Sequence, residues 1–141
     1  MPASASPVFY EVELVLLGTN PRKTAAVLST PEEVLSFLNN QIEAHSVLVV
    51  VCMKNGADFG NYIAYINELD LAHVRVLEHR GFYATTSSAQ TESRSITFQD
   101  ESGNSFTVEG NAAVSLDEAL NALKYWLPTQ KRSPSIVWGE E

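Results

Sequence analysis

Hydrophobic and polar residues alternate near the start of the chain in the pattern of a β-strand. The stretch VFYEVELVLL, residues 8–17, places an apolar series on one side and a mixed series on the other. The apolar series is Tyr10, Val12, Leu14 and Leu16, and the mixed series begins with Phe9, Glu11 and Glu13. This pattern predicts a strand with one solvated face. TAAVL, after the turn GTNPRK, predicts a second short strand.

Two segments carry the start signals of helices. Thr30 and Glu33 predict a capping box, with a proline at the first helical position between them. An apolar stripe follows, made of Val34, Leu35, Phe37, Leu38 and Ile42. Ser115 and Glu118 repeat the capping pattern at the start of SLDEALNALKYWL, and Pro128 is expected to end this second helix.

The remaining apolar segments predict strands joined by tight turns. SVLVVVCM is a continuous apolar run, which is typical of a central strand covered on both faces. The dipeptide Asn55-Gly56 predicts a hairpin between this run and the next strand. The other predicted elements are a strand FGNYIAYI, a single strand HVRVLEHRGFYAT, a second hairpin RSITFQDESGNSFTVEG and a terminal strand SIVWGE.

This order of elements predicts an α+β fold, with a mostly antiparallel sheet of about six strands and two helices packed on it. We expect residues 8–141 to form one domain, since 141 residues with 45% hydrophobic composition suit a single core. Residues 1–7 are expected to be a flexible lead. No apolar run approaches the ~18–20 residues that span a bilayer, so no membrane insertion is expected.

The charge of the chain is strongly negative. Seventeen acidic residues against nine basic ones give a formal net charge of −8, which argues against direct binding of nucleic acid. An acidic surface suits a basic protein partner, although negative charge also simply keeps a protein soluble. The single cysteine, Cys52, lies in an apolar run and is expected to be a buried, unreactive residue.

The sequence offers little that could assemble into a catalytic or metal site. His73 and His79 would share one face of an unbroken strand, but six residues span about 20 Å, too far for one metal ion. The serines of ATTSSAQTES lack the glycine pattern of a nucleophile elbow. We therefore expect no enzyme activity, no cofactor and no metal. A small enzyme that uses His73 or His79 is the minority alternative.

Acidic residues are concentrated in one part of the chain. Between residues 92 and 118 there are six acids and one base, Arg94, a local net charge of −5 (six negative, one positive). Two interpretations stay open: an edge hairpin protected by charge, or an acidic face that meets the basic cleft of an enzyme acting on nucleic acid. The candidate partner-binding residues are these acids with one tryptophan: Glu92, Asp100, Glu101, Glu109, Asp117, Glu118 and Trp138.

The segment VSLDEALNALKYWLPTQKRSPSIVW, Val114 to Trp138, resembles the closing signature of immunity protein family one of bacterial polymorphic toxin systems. The shared features are a capped helix, aromatic residues near its end, a turn with a basic residue and proline, and a short strand ending in tryptophan. Gln130 stands where the family commonly has glycine. The resemblance implies a cytoplasmic protein that binds and blocks a cognate toxin domain, such as a deaminase or nuclease acting on nucleic acid.

Other properties of the protein stay open at this point. A monomer bound to its toxin is favoured, but small acidic α+β secretion chaperones have a similar composition and would show a dimer with an exposed apolar groove. Trp126 and Trp138 are expected mainly to pin the last helix and strand to the sheet. A role of Trp138 in partner binding is the secondary hypothesis.

Overall fold

The computed structural model describes residues 8–18, 21–39, 41–43, 45–78, 80–85 and 95–141. The predicted lead, residues 1–7, lies outside this description. The first half of the chain contains β1 (Val8–Leu16), β2 (Arg22–Leu28), α1 (Pro31–Leu38), β3 (Ser46–Lys54) and β4 (Ala57–Ile66). The second half contains β5 (Leu71–Leu77), β6 (Gly81–Thr85), β7 (Ser95–Gln99), β8 (Ser105–Glu109), β9 (Val114–Ser115), α2 (Leu116–Thr129) and β10 (Val137–Glu140), with a short 3-10 helix at Gly110–Ala112.

The α+β class is confirmed, and the expected strand number is too low. In the described residues the main sheet has eight strands in the order β10-β6-β5-β4-β3-β1-β2, with the short β9 beside β5, and β7 and β8 form a separate hairpin. All pairs are antiparallel. The predicted single strand HVRVLEHRGFYAT is instead two strands, β5 and β6, which pair with each other. His79, which falls between these strands in the sequence, lies outside the described residues.

Local turn and cap signals account for several boundaries. Asn55 and Gly56 have φ of 57° and 75°, the left-handed pair that a two-residue hairpin requires, so this prediction is confirmed. The Thr30–Glu33 and Ser115–Glu118 capping boxes are both present. Helix α1 is shorter than its apolar stripe: it ends at Leu38, although Ile42 beyond the helix still packs on the same core.

Pro128 does not end the second helix, as the sequence suggested; it lies inside its last turn. A proline there removes only one of the final intrahelical hydrogen bonds. Side chains satisfy a backbone carbonyl at the end of the helix: the Tyr10 hydroxyl and the Gln130 side-chain amide both donate to the Leu127 carbonyl. Gln130 itself is left-handed with φ 54°, which explains why glycine would suit this position.

The two faces of the sheet are covered differently. Both helices pack on one face, where Tyr62, Leu123 and Trp126 are among the most deeply buried side chains. The β7–β8 hairpin packs on the opposite face and forms a second, smaller core around Phe98 and Tyr65. The molecule therefore has three layers, with the sheet in the middle.

Tyr62 links the sheet to the first turn of α2. Its fully buried hydroxyl donates to the Ala119 carbonyl at 2.7 Å, and its ring lies 6.0 Å from that of Trp126.

We predict that Tyr62→Phe lowers the free energy of unfolding by about 1 kcal/mol, because one buried hydrogen bond is lost while the ring is kept. Urea denaturation measures this, with Tyr125→Phe on the exposed side of α2 as the matched control. Equal midpoints for the two variants would contradict the prediction.

Candidate functional site

The predicted acidic residues do not gather into one patch. Asp100 and Glu101 follow β7 at the tip of the hairpin, whereas Glu109 ends β8 at the opposite end. Each arm has five residues, so the two ends are about 15 Å apart. Asp117 belongs to the first turn of α2, which packs on the other face of the sheet. Glu92 lies outside the described residues.

Two of the predicted carboxylates have local structural roles. Asp100 accepts hydrogen bonds from the backbone N–H groups of Ser102 and Asn104, both at 2.9 Å, and so holds the hairpin turn. Glu118 accepts from the backbone N–H of Ser115 in the capping box of α2. The predicted acids that are exposed and lack such a bond in the described structure are Glu101, Glu109 and Asp117.

Trp138 faces the helix side of the sheet. It is partly buried against the main core, and its indole N–H donates to the Ser133 carbonyl at 2.9 Å. Trp126 is 1% exposed in the same core. The two tryptophans thus sit where the last helix and last strand meet the sheet. In this position little of Trp138 is available to a partner without opening the C-terminal segment.

The end of the chain is tied to the other face of the sheet. Arg75 on β5 holds Glu141 in a two-pronged ion pair, with Nε–Oε2 at 2.6 Å and Nη2–Oε1 at 2.7 Å. This contact with the Arg75 guanidinium lowers the pKa of the Glu141 carboxyl below its usual value. The ion pair and the Trp138 hydrogen bond hold the last residues from opposite faces of the sheet.

His73 and Cys52 both lie in cores. Nδ1 of His73 is 2.8 Å from the Ala112 carbonyl, and the ring stacks near Tyr65 and Phe98 between the sheet and the hairpin. Burial lowers the pKa of His73, more than the bond to Ala112 raises it. Cys52 is fully buried, and burial raises the pKa of its thiol. Within the described ranges no group of three or more His, Cys, Asp or Glu residues could hold a metal ion.

A groove that the acidic-residue pattern did not indicate lies on the hairpin side of the sheet. The hairpin covers the row of Val15, Val47 and Tyr65, which is buried. The next two rows of the same face are only partly covered. They form what we call the valine groove, about 450 Å³ in volume. Its residues on this face are Glu11, Glu13, Ala25, Val27, Val49 and Val51.

Strand register places acidic and apolar residues side by side in the valine groove. Glu11 lies between Val27 and Val51 on the neighbouring strands, and Glu13 lies between Ala25 and Val49. Val27 is 68% exposed, unusual for a β-branched apolar residue beside a core. Lys23 pairs with Glu13 at 3.0 Å, whereas no ion pair to Glu11 forms among the described residues.

Part of the signal for this groove was present in the sequence. The alternation of Glu11 and Glu13 correctly predicted a solvated face for β1. The continuous apolar run of β3 was predicted to be covered on both faces, and this is only partly true, since Val49 and Val51 are only partly buried. A buried central strand and a strand that floors a groove have the same apolar sequence, so the difference was not visible.

No protein-family model and no curated protein matches this chain. Of the helices in the described residues, neither has the length and apolar character needed to cross a membrane.

The buried His73 predicts a specific dependence of stability on pH. Its pKa is lowered in the folded state, so below about pH 6.5 the unfolded chain binds more protons than the folded one. The free energy of unfolding should therefore decrease as the pH falls from about 6.5 towards the lowered folded-state pKa, and this contribution is complete above that range.

Urea denaturation at several pH values checks this prediction. His73→Asn should flatten the slope below about pH 6.5, whatever its effect on stability at neutral pH. An identical slope in wild type and His73→Asn would show that His73 is not the titrating group.

Proposed function

We propose that this chain is an immunity protein that binds a cognate bacterial toxin domain and neutralises it by protein–protein contact in the cytoplasm. The toxin would be a basic enzyme that acts on nucleic acid, a deaminase or a nuclease. The immunity protein itself would carry out no reaction and need no cofactor. The resemblance of residues 114–138 to immunity protein family one supports this proposal. The structural observation that carries it is the valine groove.

The valine groove has the two properties that a protein partner requires. Half-exposed valines offer apolar surface whose burial stabilises a complex by roughly 25 cal/mol per Å². Glu11, which forms no ion pair among the described residues, places negative charge beside this surface, whereas Glu13 is paired with Lys23. A basic partner surface that enters the groove would bury apolar area and meet opposite charge in the same place.

The net charge of −8 contributes in a different way. Charges that act over a distance steer a basic partner into contact and raise the association rate more than the affinity. The exposed carboxylates of Glu101, Glu109 and Asp117 are suited to this role, although they lie on separate parts of the surface. We assign the lasting contact to the groove and the attraction to the wider acidic surface.

A basic toxin domain encoded by a gene neighbouring that of this chain would provide the direct test. We predict that the purified chain forms an equimolar complex with that domain and abolishes its activity on nucleic acid at a one-to-one ratio. Association should slow as salt is raised, because the steering is electrostatic. Full toxin activity in the presence of a molar excess of this chain would overturn the proposed function.

Substitutions at Val27 test whether the groove holds the toxin. Val27→Lys places a positive charge against a basic partner and should weaken binding by about tenfold, mainly through faster dissociation. Val27→Thr keeps the branched shape and should bind within about threefold of wild type. Glu101→Lys, at the hairpin tip, should instead slow association with little change in dissociation.

Binding kinetics measured by surface plasmon resonance separate these effects. Asp100 is not a suitable probe of charge, because its carboxylate holds the hairpin turn. If Val27→Lys binds as wild type while the Glu101 variant loses affinity through faster dissociation, the toxin contacts the hairpin tip rather than the groove.

One observation favours a second function. An exposed apolar groove is also expected of a small acidic secretion chaperone that binds an extended segment of an effector protein. Such a chaperone would be a dimer and would hold its effector without inhibiting it. Sedimentation of the free chain distinguishes the two, since a compact monomer that silences a toxin is incompatible with the chaperone function.

A further inference from the structure

The two edges of the main sheet differ in how they are protected. The edge strand β10 has only four residues, and ion pairs flank it: Glu140 with Arg80, and the adjacent Glu141 with Arg75. Short length and charge are the usual means by which proteins prevent an edge from pairing with another chain. The other edge strand, β2, has seven residues in unbroken register with β1.

The outer side of β2 offers backbone groups for pairing. In the described part of the chain, β2 forms backbone hydrogen bonds only with β1. In an antiparallel edge strand, alternate residues direct their N–H and C=O groups away from the sheet. The residues from Ala25 to Val27 are small, contain no proline and carry no charge, so nothing in their side chains blocks an added strand.

Edge and groove are one continuous surface. Ala25 and Val27 belong to the edge strand and also line the valine groove. A segment that pairs with β2 would therefore gain backbone hydrogen bonds from the edge, and its alternate side chains would point towards the groove. Neither feature alone offers both a ladder of polar groups and an apolar floor.

The charges around the second half of β2, from Ala25 onwards, favour a basic segment as the added strand. Glu11 lies beside Val27 on the open face, and Glu32 lies in the first turn of α1, just after β2 ends, whereas the carboxylate of the adjacent Glu33 holds the cap of that helix. The basic residues of the strand, Arg22 and Lys23, are at its other end. A second copy of this chain would bring its own charge of −8 to the surface, whereas a segment rich in Lys or Arg would meet carboxylates.

We propose that β2 binds an extended, basic segment of the toxin as an added strand, which lengthens the sheet and lays alternate side chains over the valine groove. This proposal rests on the proposed immunity function and specifies how the partner is held. It assigns the edge strand, rather than the acidic hairpin, as the main recognition element.

Proline substitutions at two neighbouring positions test strand addition. Successive residues of an edge strand point their N–H groups alternately towards β1 and towards solvent. Of Ala25→Pro and Ala26→Pro, one removes a ladder bond to β1 and should destabilise the protein. The other removes only an outward N–H and should keep near-normal stability.

We expect this stable proline variant to bind the toxin domain about tenfold more weakly than the wild type. The serine variant at the same position keeps the N–H and should bind as wild type.

Hydrogen exchange provides a second measurement on the wild-type chain, independent of how the proline variants fold. The outward amides of β2 should exchange much more slowly in the toxin complex than in the free protein. Unchanged exchange in β2, or wild-type affinity of the stable proline variant, would overturn strand addition while leaving toxin neutralisation intact. Self-association of the free chain that the proline abolishes would identify a second copy as the occupant and would also overturn it. Loss of the immunity function itself would instead appear as absence of any complex with wild type.

Discussion

The structure depends on how the two faces of one wide antiparallel sheet are kept from water. On one face the two helices do this almost completely, with Trp126 and Tyr62 packed at the contact. On the other face the cover among the described elements comes from a hairpin with five-residue arms and from the short segment that follows it, which includes Ala112 and Ala113. A hairpin of that size buries one row of side chains on the sheet, that of Val15, Val47 and Tyr65, and leaves the side chains of the next two rows, in the valine groove, only partly covered. The valine groove is the direct consequence of this incomplete cover.

The incomplete cover also explains the mixed character of the groove. A strand shared between a core and an open surface needs apolar residues where it is covered, whereas its open part contacts water and can carry charge. In β1 this is resolved by Glu11 and Glu13 on the open side of a strand whose other face is buried. In β3 the valines stay, and they become the floor on which a partner can bury apolar area.

The two edge strands of the sheet have different roles, one in stability and the other, in the proposed mechanism, in recognition. At β10 the Arg75–Glu141 ion pair and the Trp138 hydrogen bond hold residues 138–141 in place, so this edge stabilises the fold. At β2 the edge is long and regular, and it adjoins the groove. The acidic residues that are clustered in sequence are dispersed in space, and two of them hold a turn and a helix cap. In the proposed mechanism they attract the toxin, while the groove and edge retain it.

The sequence by itself determined the local structure: both capping boxes, the Asn55-Gly56 turn, the β7–β8 hairpin, the solvated face of β1 and the α+β class. The caps and turns depend on residues only a few positions apart, whose hydrogen bonds and φ angles form locally, and the α+β class follows from the order of the elements along the chain. Only the tertiary structure decided that residues 71–85 form two strands, that Pro128 stays within α2, and that the valines of β3 are partly open. These outcomes depend on partners far along the chain, such as Tyr10 beneath Leu127 and Val27 beside Glu11. The same distance hid the groove, since its residues come from three strands that hydrophobic pattern alone cannot place side by side.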